Sequence, residues 1–267
     1  MASNISITYI GTATAIIYLD HLTILTDPYF SPPGTSWTGA SGTTLTSTYQ
    51  PALELKDLPP IDLVLLSHED HKDNLDDLGR TLLNGRRVIT TVDGAQKLGK
   101  REGIVGLGPW ESTTVQGRDG LQWKIIATPC AHFPGGECIG FVITAKRFGH
   151  SPERLFKAIY YSGDTVYLPE LGRKIAKRFD ILVALINMGQ ATVTKSDGGT
   201  LQVTMDAEQA LQLVREIKPQ VVVPMHFEGW SHFKEGRKGI EQAFGLSNIA
   251  PTRLHFLIPG LKTDIVM

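Results

Sequence analysis

Short apolar or β-branched runs at residues 5–10, 14–19 and 22–25 open the chain, parted by Gly11-Thr12 and Asp20-His21. Runs of this length between turn residues predict strands. A polar stretch rich in Gly, Ser, Thr and Pro follows from Ser31 to Tyr49. It exceeds an ordinary connector, which predicts a functional flap or a disordered segment. Residues 61–66 and 88–91 predict strands. Residues 74–83 predict a helix with Leu75, Leu78, Leu82 and Leu83 on one face, and 94–98 a short one. The second half repeats the style. Its strands are predicted at 113–115, 123–128, 139–144, 158–162, 181–186 and 221–224, then at 254–258 and 263–266. Its helices are predicted at 170–178, 206–217 and 233–244. Residues 146–154 read as a surface loop and Asp197-Gly198-Gly199 as a turn. No repeat of solenoid period is present. Two strand-rich halves with outer helices predict two sheets face to face, covered by helices.

The chain has 267 residues, enough for one large domain or two small ones, and the pattern favours a single domain over residues 1–267. No apolar run approaches the ~20 residues of a membrane span. The opening Met-Ala-Ser-Asn-Ile-Ser lacks the basic and apolar regions of a secretion signal. Two cysteines, Cys130 and Cys138, suit a reducing compartment better than a disulfide framework, so a cytoplasmic location is expected. The formal net charge is −1, without the basic excess of a nucleic-acid binder. The basic stretch Arg173 to Arg178 fits the wet face of a helix. The expected partner is a small-molecule substrate, with no nucleic acid and no membrane span. A homo-oligomer stays open, since no interface signal stands out.

Candidate chemistry clusters at strand exits. His68, His71 and Asp73 follow the apolar Leu63 to Leu66, His132 follows Ala127-Thr128-Pro129, and Asp164 follows Ile159-Tyr160-Tyr161. His226 follows Val221 to Met225, and Asp27 follows Leu22 to Leu25. Strand ends along one sheet edge converge more easily than mid-strand residues do. Neutral His with carboxylates is a ligand set for Zn²⁺. Singly, Asp164 in Gly-Asp-Thr and Asp27 before Pro28 also suit turns or caps, and His132 or His226 alone suits a structural histidine.

The ordered motifs Thr26-Asp27-Pro28, Ser67-His68-Glu69-Asp70-His71-Lys72-Asp73-Asn74, Thr128-Pro129-Cys130-Ala131-His132, Ser162-Gly163-Asp164-Thr165 and Pro224-Met225-His226 resemble the metallo-β-lactamase superfamily. The likeness is greatest to its ascorbate-lactonase-like and N-acyl-phosphatidylethanolamine phospholipase-like branch, and runs from about Ile5 to the C-terminus. It implies an α/β fold, a four-layer αββα sandwich of two mixed sheets flanked by helices. It also implies a metal site of His68, His71 and His132, a second served by Asp73 and His226, and Asp164 as bridge. Two departures stand out. One residue is added between the first two ligands, giving His68-x-x-His71-x-Asp73. Asn74 stands where the pattern has His; an amide oxygen suits Mn²⁺ better than Zn²⁺. His232, six residues past His226, is a candidate to reach metal, substrate or oxyanion, and an exposed helix-end His is the alternative.

The expected cofactor is therefore Zn, one or two ions, with Mn as the other option. The expected chemistry is a metal-activated hydroxide attacking a small lactone, lactam or related carbonyl, a lactonase or lactamase type of hydrolase. Asp73, Asp164 and His232 are the catalytic candidates, and Asp27 supports a ligand or loop from behind. Cys130 reads as packing. Tyr29, Phe30, Trp37, Glu228, Trp230 and Phe233 are pocket-lining candidates. A small phosphodiester is the alternative substrate, and a non-hydrolytic metal-binding or redox protein the second alternative.

Overall fold

Alternate side chains of each strand enter different cores, and that alternation builds the layers. The computed structural model describes residues 4–38, 44–133, 136–195, 198–247 and 253–265. Predicted features at residues 1–3, 39–43, Asp197 and Val266 lie outside these.

One sheet contains β1 (Ile5–Gly11), β2 (Thr14–Leu19), β3 (Leu22–Thr26), β6 (Leu63–Leu65), β7 (Arg87–Thr91), β8 (Ile104–Leu107) and β17 (Lys262–Asp264). Its order is β17-β1-β2-β3-β6-β7-β8. The other contains β9 (Ser112–Gln116), β10 (Gln122–Pro129), β11 (Ile139–Thr144), β12 (Phe156–Tyr161), β13 (Phe179–Asn187) and β16 (Val221–Met225). Its order is β16-β13-β12-β11-β10-β9. Both are mixed, since β3, β6, β7 and β8 run parallel, as do β12, β13 and β16.

Ile17 of β2, Leu63 and Leu65 of β6, Ile125 of β10, Ile159 and Tyr161 of β12, and Leu185 of β13 meet between the sheets. Their neighbours Ile16 and Val64 turn outward onto Leu82 of α1 (Asp77–Leu82) and onto Leu83 and Leu98, the residue that ends α2 (Val92–Lys97). On the far side Ile126, Tyr160, Ala184 and Val222 bury α3 (Pro169–Ala176), α4 (Ala207–Ile217) and α5 (Arg237–Leu246) through Leu171, Ile175, Leu211, Val214, Ile240 and Phe244. The result is an αββα sandwich of the predicted kind. Among the described residues no helix is long and apolar enough to cross a membrane.

Several local expectations shift. Residues 74–76 do not begin the first helix. Asp76 caps it instead, its carboxylate accepting the Gly79 N–H, and Leu78 is left exposed. The last helix starts at Arg237 rather than Phe233. The predicted strand 254–258 is reduced to one bridge, Val222 to Leu254. The polar stretch after Ser31 holds a hairpin, β4 (Ser36–Thr38) with β5 (Thr44–Thr46). A second hairpin, β14 (Thr192–Thr194) with β15 (Thr200–Gln202), precedes α4 and was not anticipated. Nor was β8. All three consist of short strands whose partners are supplied by distant or equally short segments.

Candidate metal centre

β6, β10, β12 and β16 all point their C-terminal ends at the same sheet edges, and each hands over ligand-type residues there. His68, His71 and His132 present one ring nitrogen each, all within 4.8 Å of one another; Asp73, Asp164 and His226 form a second such group. His132 Nε2 lies 4.0 Å from Asp164 Oδ2, so the two groups adjoin.

In the first group the tautomers follow from the outer partners. Ser67 Oγ gives its proton to Asp27 Oδ2 at 2.6 Å, so it accepts from His68 Nδ1 at 2.8 Å. His132 Nδ1 donates to the Val203 carbonyl at 2.7 Å. The Nε2 lone pairs of His68 and His132 then both face His71 Nδ1, at 3.1 and 3.0 Å. One imidazole nitrogen carries at most one proton, so these three donors aim at one another without mutual satisfaction. Ligands of tetrahedral Zn²⁺, bound at ~2.0–2.1 Å, stand ~3.3 Å apart, close to this spacing.

The second group has the same signature. His226 Nδ1 approaches Asp164 Oδ1 at 3.2 Å and its Nε2 approaches Asp73 Oδ2 at 3.5 Å. Neither nitrogen makes a hydrogen bond of good geometry, and Asp73 Oδ1 has no partner either. Buried polar atoms are normally paired. A divalent cation fits both groups by donor type and by these orphaned atoms. His232 Nε2 stands 3.7 Å from Asp73 Oδ2, and its Nδ1 is unpartnered.

The charges respond accordingly. Burial pushes the His68 and His132 imidazoles below their ordinary value, and holds His232 down to about 4. Burial alone would raise Asp73 and Asp164, but the imidazoles around them, His226 foremost, win and hold both below the usual carboxylate range. His226 is lifted to about 10: burial opposes its charge, and Asp164 and Asp73 overcome it.

Two turns at the site carry backbone strain, with Asp27 at φ +28° and His226 at φ +54°. Such conformations cost ~1–3 kcal/mol in a residue with a side chain and gather at functional sites. Asp27 is fully buried and accepts from Ser67 N–H, Ser67 Oγ, Asn74 Nδ2 and Tyr161 OH. Asn74 thus supports Asp27 and does not line the cavity. Between the two histidines of the His-x-x-His segment, Glu69 turns to Arg80 at 2.9 Å and Lys97 at 3.6 Å, and Asp70 lines the cavity.

A cavity of about 280 Å³ opens over both groups, lined by Trp37, Leu45, Asp70, Phe133, Val193 and His232 among others. Of the candidate aromatics Tyr29, Phe30, Trp37, Trp230 and Phe233, Trp37 alone lines it. Tyr29 and Trp230 instead pack on Leu45, their rings 5.2 Å apart. Phe30 joins the outer core, Phe233 packs on His226, and Glu228 is exposed. Cys130 is engaged with the Ser162 carbonyl and Cys138 with that of Asp164. Sequence reasoning missed Asn187, whose Nδ2 donates to Asp164 Oδ1 at 2.7 Å. It ends β13, and the strand-exit signal that marked the other residues applies to it.

The family profile of the beta-lactamase superfamily domain matches residues 23–227. The chain belongs to the beta-lactamase superfamily. Among its relatives, a UPF0173 metal-dependent hydrolase from Nanoarchaeum equitans is 27% identical over 192 residues, covering 67% of this chain and 76% of that protein. Igni18, a metallo hydrolase from the archaeon Ignicoccus hospitalis, superposes with a TM-score of 0.70 over 99% of both chains at 24% identity. An isothiocyanate hydrolase from Delia radicum gut bacteria does so with a TM-score of 0.74, at 20% identity, over 97% of this chain and 98% of its own. At these identities the structural likeness is one of fold.

Proposed function

We propose that this member of the superfamily is a metal-dependent hydrolase acting on a small carbonyl substrate: a lactone, a lactam or a related ester or amide. The observation that carries the reading is the pair of adjoining ligand-type groups, His68/His71/His132 and Asp73/Asp164/His226, all but the buried His68 lining one cavity. His68, His71 and His132 would hold Zn²⁺. Asp73 and His226 would hold a second ion, Zn²⁺ or Mn²⁺, with Asp164 between the two. When bound, such an ion supplies Lewis acidity and brings the pKa of water toward ~7.

The chain's own groups do the rest. Asp73 and Asp164 orient the attacking water by accepting its O–H. Asn187 fixes the Asp164 carboxylate from behind. His232 stands beside Asp73 with an unpartnered ring nitrogen, and in this reading it takes a proton from the attacking water and delivers it to the leaving group. No Lys or Arg is among the described residues lining the cavity, which favours a carbonyl over an anionic phosphodiester.

The test is a metal analysis of purified protein followed by assays with lactones, lactams, thioesters and bis-p-nitrophenyl phosphate. One or two equivalents of Zn or Mn with turnover of a carbonyl substrate is the expected result. Protein that takes up no metal, or turnover of the phosphodiester alone, overturns it.

A further inference from the structure

We infer that the site selects uncharged substrates whose non-reacting part is apolar, and that two β-hairpins read this part. The inference rests on the hydrolase reading above and names its substrate class. Beside the ligand groups, the cavity is walled by Trp37 and Leu45 from the β4–β5 hairpin and by Ala191, Val193 and Val203 from in and around the β14–β15 hairpin, with Phe133 next to His71. Trp37 comes within 5.6 Å of the His71 ring, so the apolar wall begins immediately beside the reacting centre.

The charged residues of the lining are acids, Asp70, Asp73 and Asp164, together with the histidines. With ions bound, the cationic charge is spent on the reacting group. An acidic substituent further out meets Asp70 and an apolar wall, with no Lys or Arg among the described lining residues to pair it. Burying a charge without a partner is strongly unfavourable, whereas each alkyl or aryl group set against such a wall gains affinity. At about 280 Å³ the cavity sits at the low end for small-molecule pockets, and suits a compact molecule over a polymer chain.

The β4–β5 hairpin is built to hold its position. Ser231 N–H donates to the Thr46 carbonyl at 3.0 Å and Thr48 N–H to the Gly229 carbonyl at 2.8 Å, tying the hairpin to the turn that carries His226. Leu45 is locked against Tyr29 and Trp230. The wall and the ligands are therefore one assembly.

Matched hydroxamates test this without knowledge of the natural substrate, because the hydroxamate chelates metal and the tail reports the wall. Zinc-loaded protein is titrated calorimetrically with 4-tert-butylbenzohydroxamic acid and with 4-carboxybenzohydroxamic acid. The alkyl probe is expected to bind at least ~10-fold more tightly, the scale set by one or two methylenes in an apolar pocket. W37A should weaken the alkyl probe at unchanged zinc content. V193K should narrow or reverse the preference by giving the carboxylate a partner. Equal binding of the two probes, tighter binding of the carboxylate, or binding of neither by zinc-loaded protein overturns the inference and leaves the metal reading standing. Protein that takes up neither zinc nor manganese removes both.

Discussion

Asn74 is tied to Asp27: its side-chain amide donates to Asp27 Oδ2 at 2.9 Å. The position where the superfamily pattern has an imidazole here serves a buried carboxylate, and that carboxylate holds the His68 ring through Ser67. Groups behind a ligand typically change metal affinity by ~10–100-fold. Asn74→Ala is therefore expected to weaken metal binding by about 10-fold and to lower stability by about 1–2 kcal/mol. Chelator competition and urea unfolding measure the two. Metal affinity equal to the parent's would show that the chain of contacts transmits nothing.

Loss of a ligand should be selective. His71→Ala removes a nitrogen of the first group and Asp73→Asn a carboxylate of the second. Each is expected to lower the metal content of a two-ion protein by about one equivalent, with circular dichroism unchanged. If either variant keeps its full metal content, that residue is not a ligand.

Metal removal should cost stability, because an ion that binds only the folded chain stabilises it by mass action. At 100 times the dissociation constant the effect is ~2.7 kcal/mol. Dialysis against a chelator should lower the melting temperature and re-addition of Zn²⁺ should restore it. A melting curve indifferent to both would argue against a filled site.

Gly163 lies at φ +58°, and a Cβ there would sit 2.5 Å from the Ile139 carbonyl oxygen, one residue before Asp164. Gly163→Ala is expected to destabilise by about 1–3 kcal/mol and to displace Asp164. Chemical unfolding together with metal content reads both effects. A stable, fully loaded variant would contradict the close approach.

Burial raises Asp27 to about 6, its hydrogen bonds opposing. An unfolded Asp titrates near ~3.9, so between about 4 and about 6 the folded chain binds the extra proton. Stability attributable to this group is thus greatest at the acid end and falls as pH rises through that window. In chelator-treated protein, the slope of unfolding free energy against pH should be less negative over this range in Asp27→Asn than in the parent. Identical slopes would place the proton elsewhere.

Much of this architecture was legible before any coordinates. β-branched runs bounded by Gly, Asp and His announced most strands, and the strand-exit rule collected His68, His71, Asp73, His132, Asp164 and His226. Asn187 passed unmarked for a physical reason: an Asn at a strand end signals a turn as readily as a support. The β14–β15 hairpin was missed because three-residue strands barely differ from loop sequence. Glu228 and Trp230 were expected in the pocket by adjacency to His226, but neighbours along an irregular segment face different ways. Trp230 turned to Tyr29 and Glu228 to water.

The sequence by itself determined the alternation that makes two sheets and three apolar layers, and the residue types that can hold a cation, since both reside in short stretches of chain. Only the tertiary structure decided the partners. That Asn74 would serve Asp27, that the Val203 carbonyl would set the His132 tautomer, and that Trp37 and Val193 would wall one cavity depend on segments brought together by sheet order and sandwich closure. Hydrogen-bond partners and cavity walls are properties of distances in space. Asn74 and Asp27 acquire theirs only when β3 and β6 pair, and His132 and Val203 only when the segments after β10 and β15 pack together.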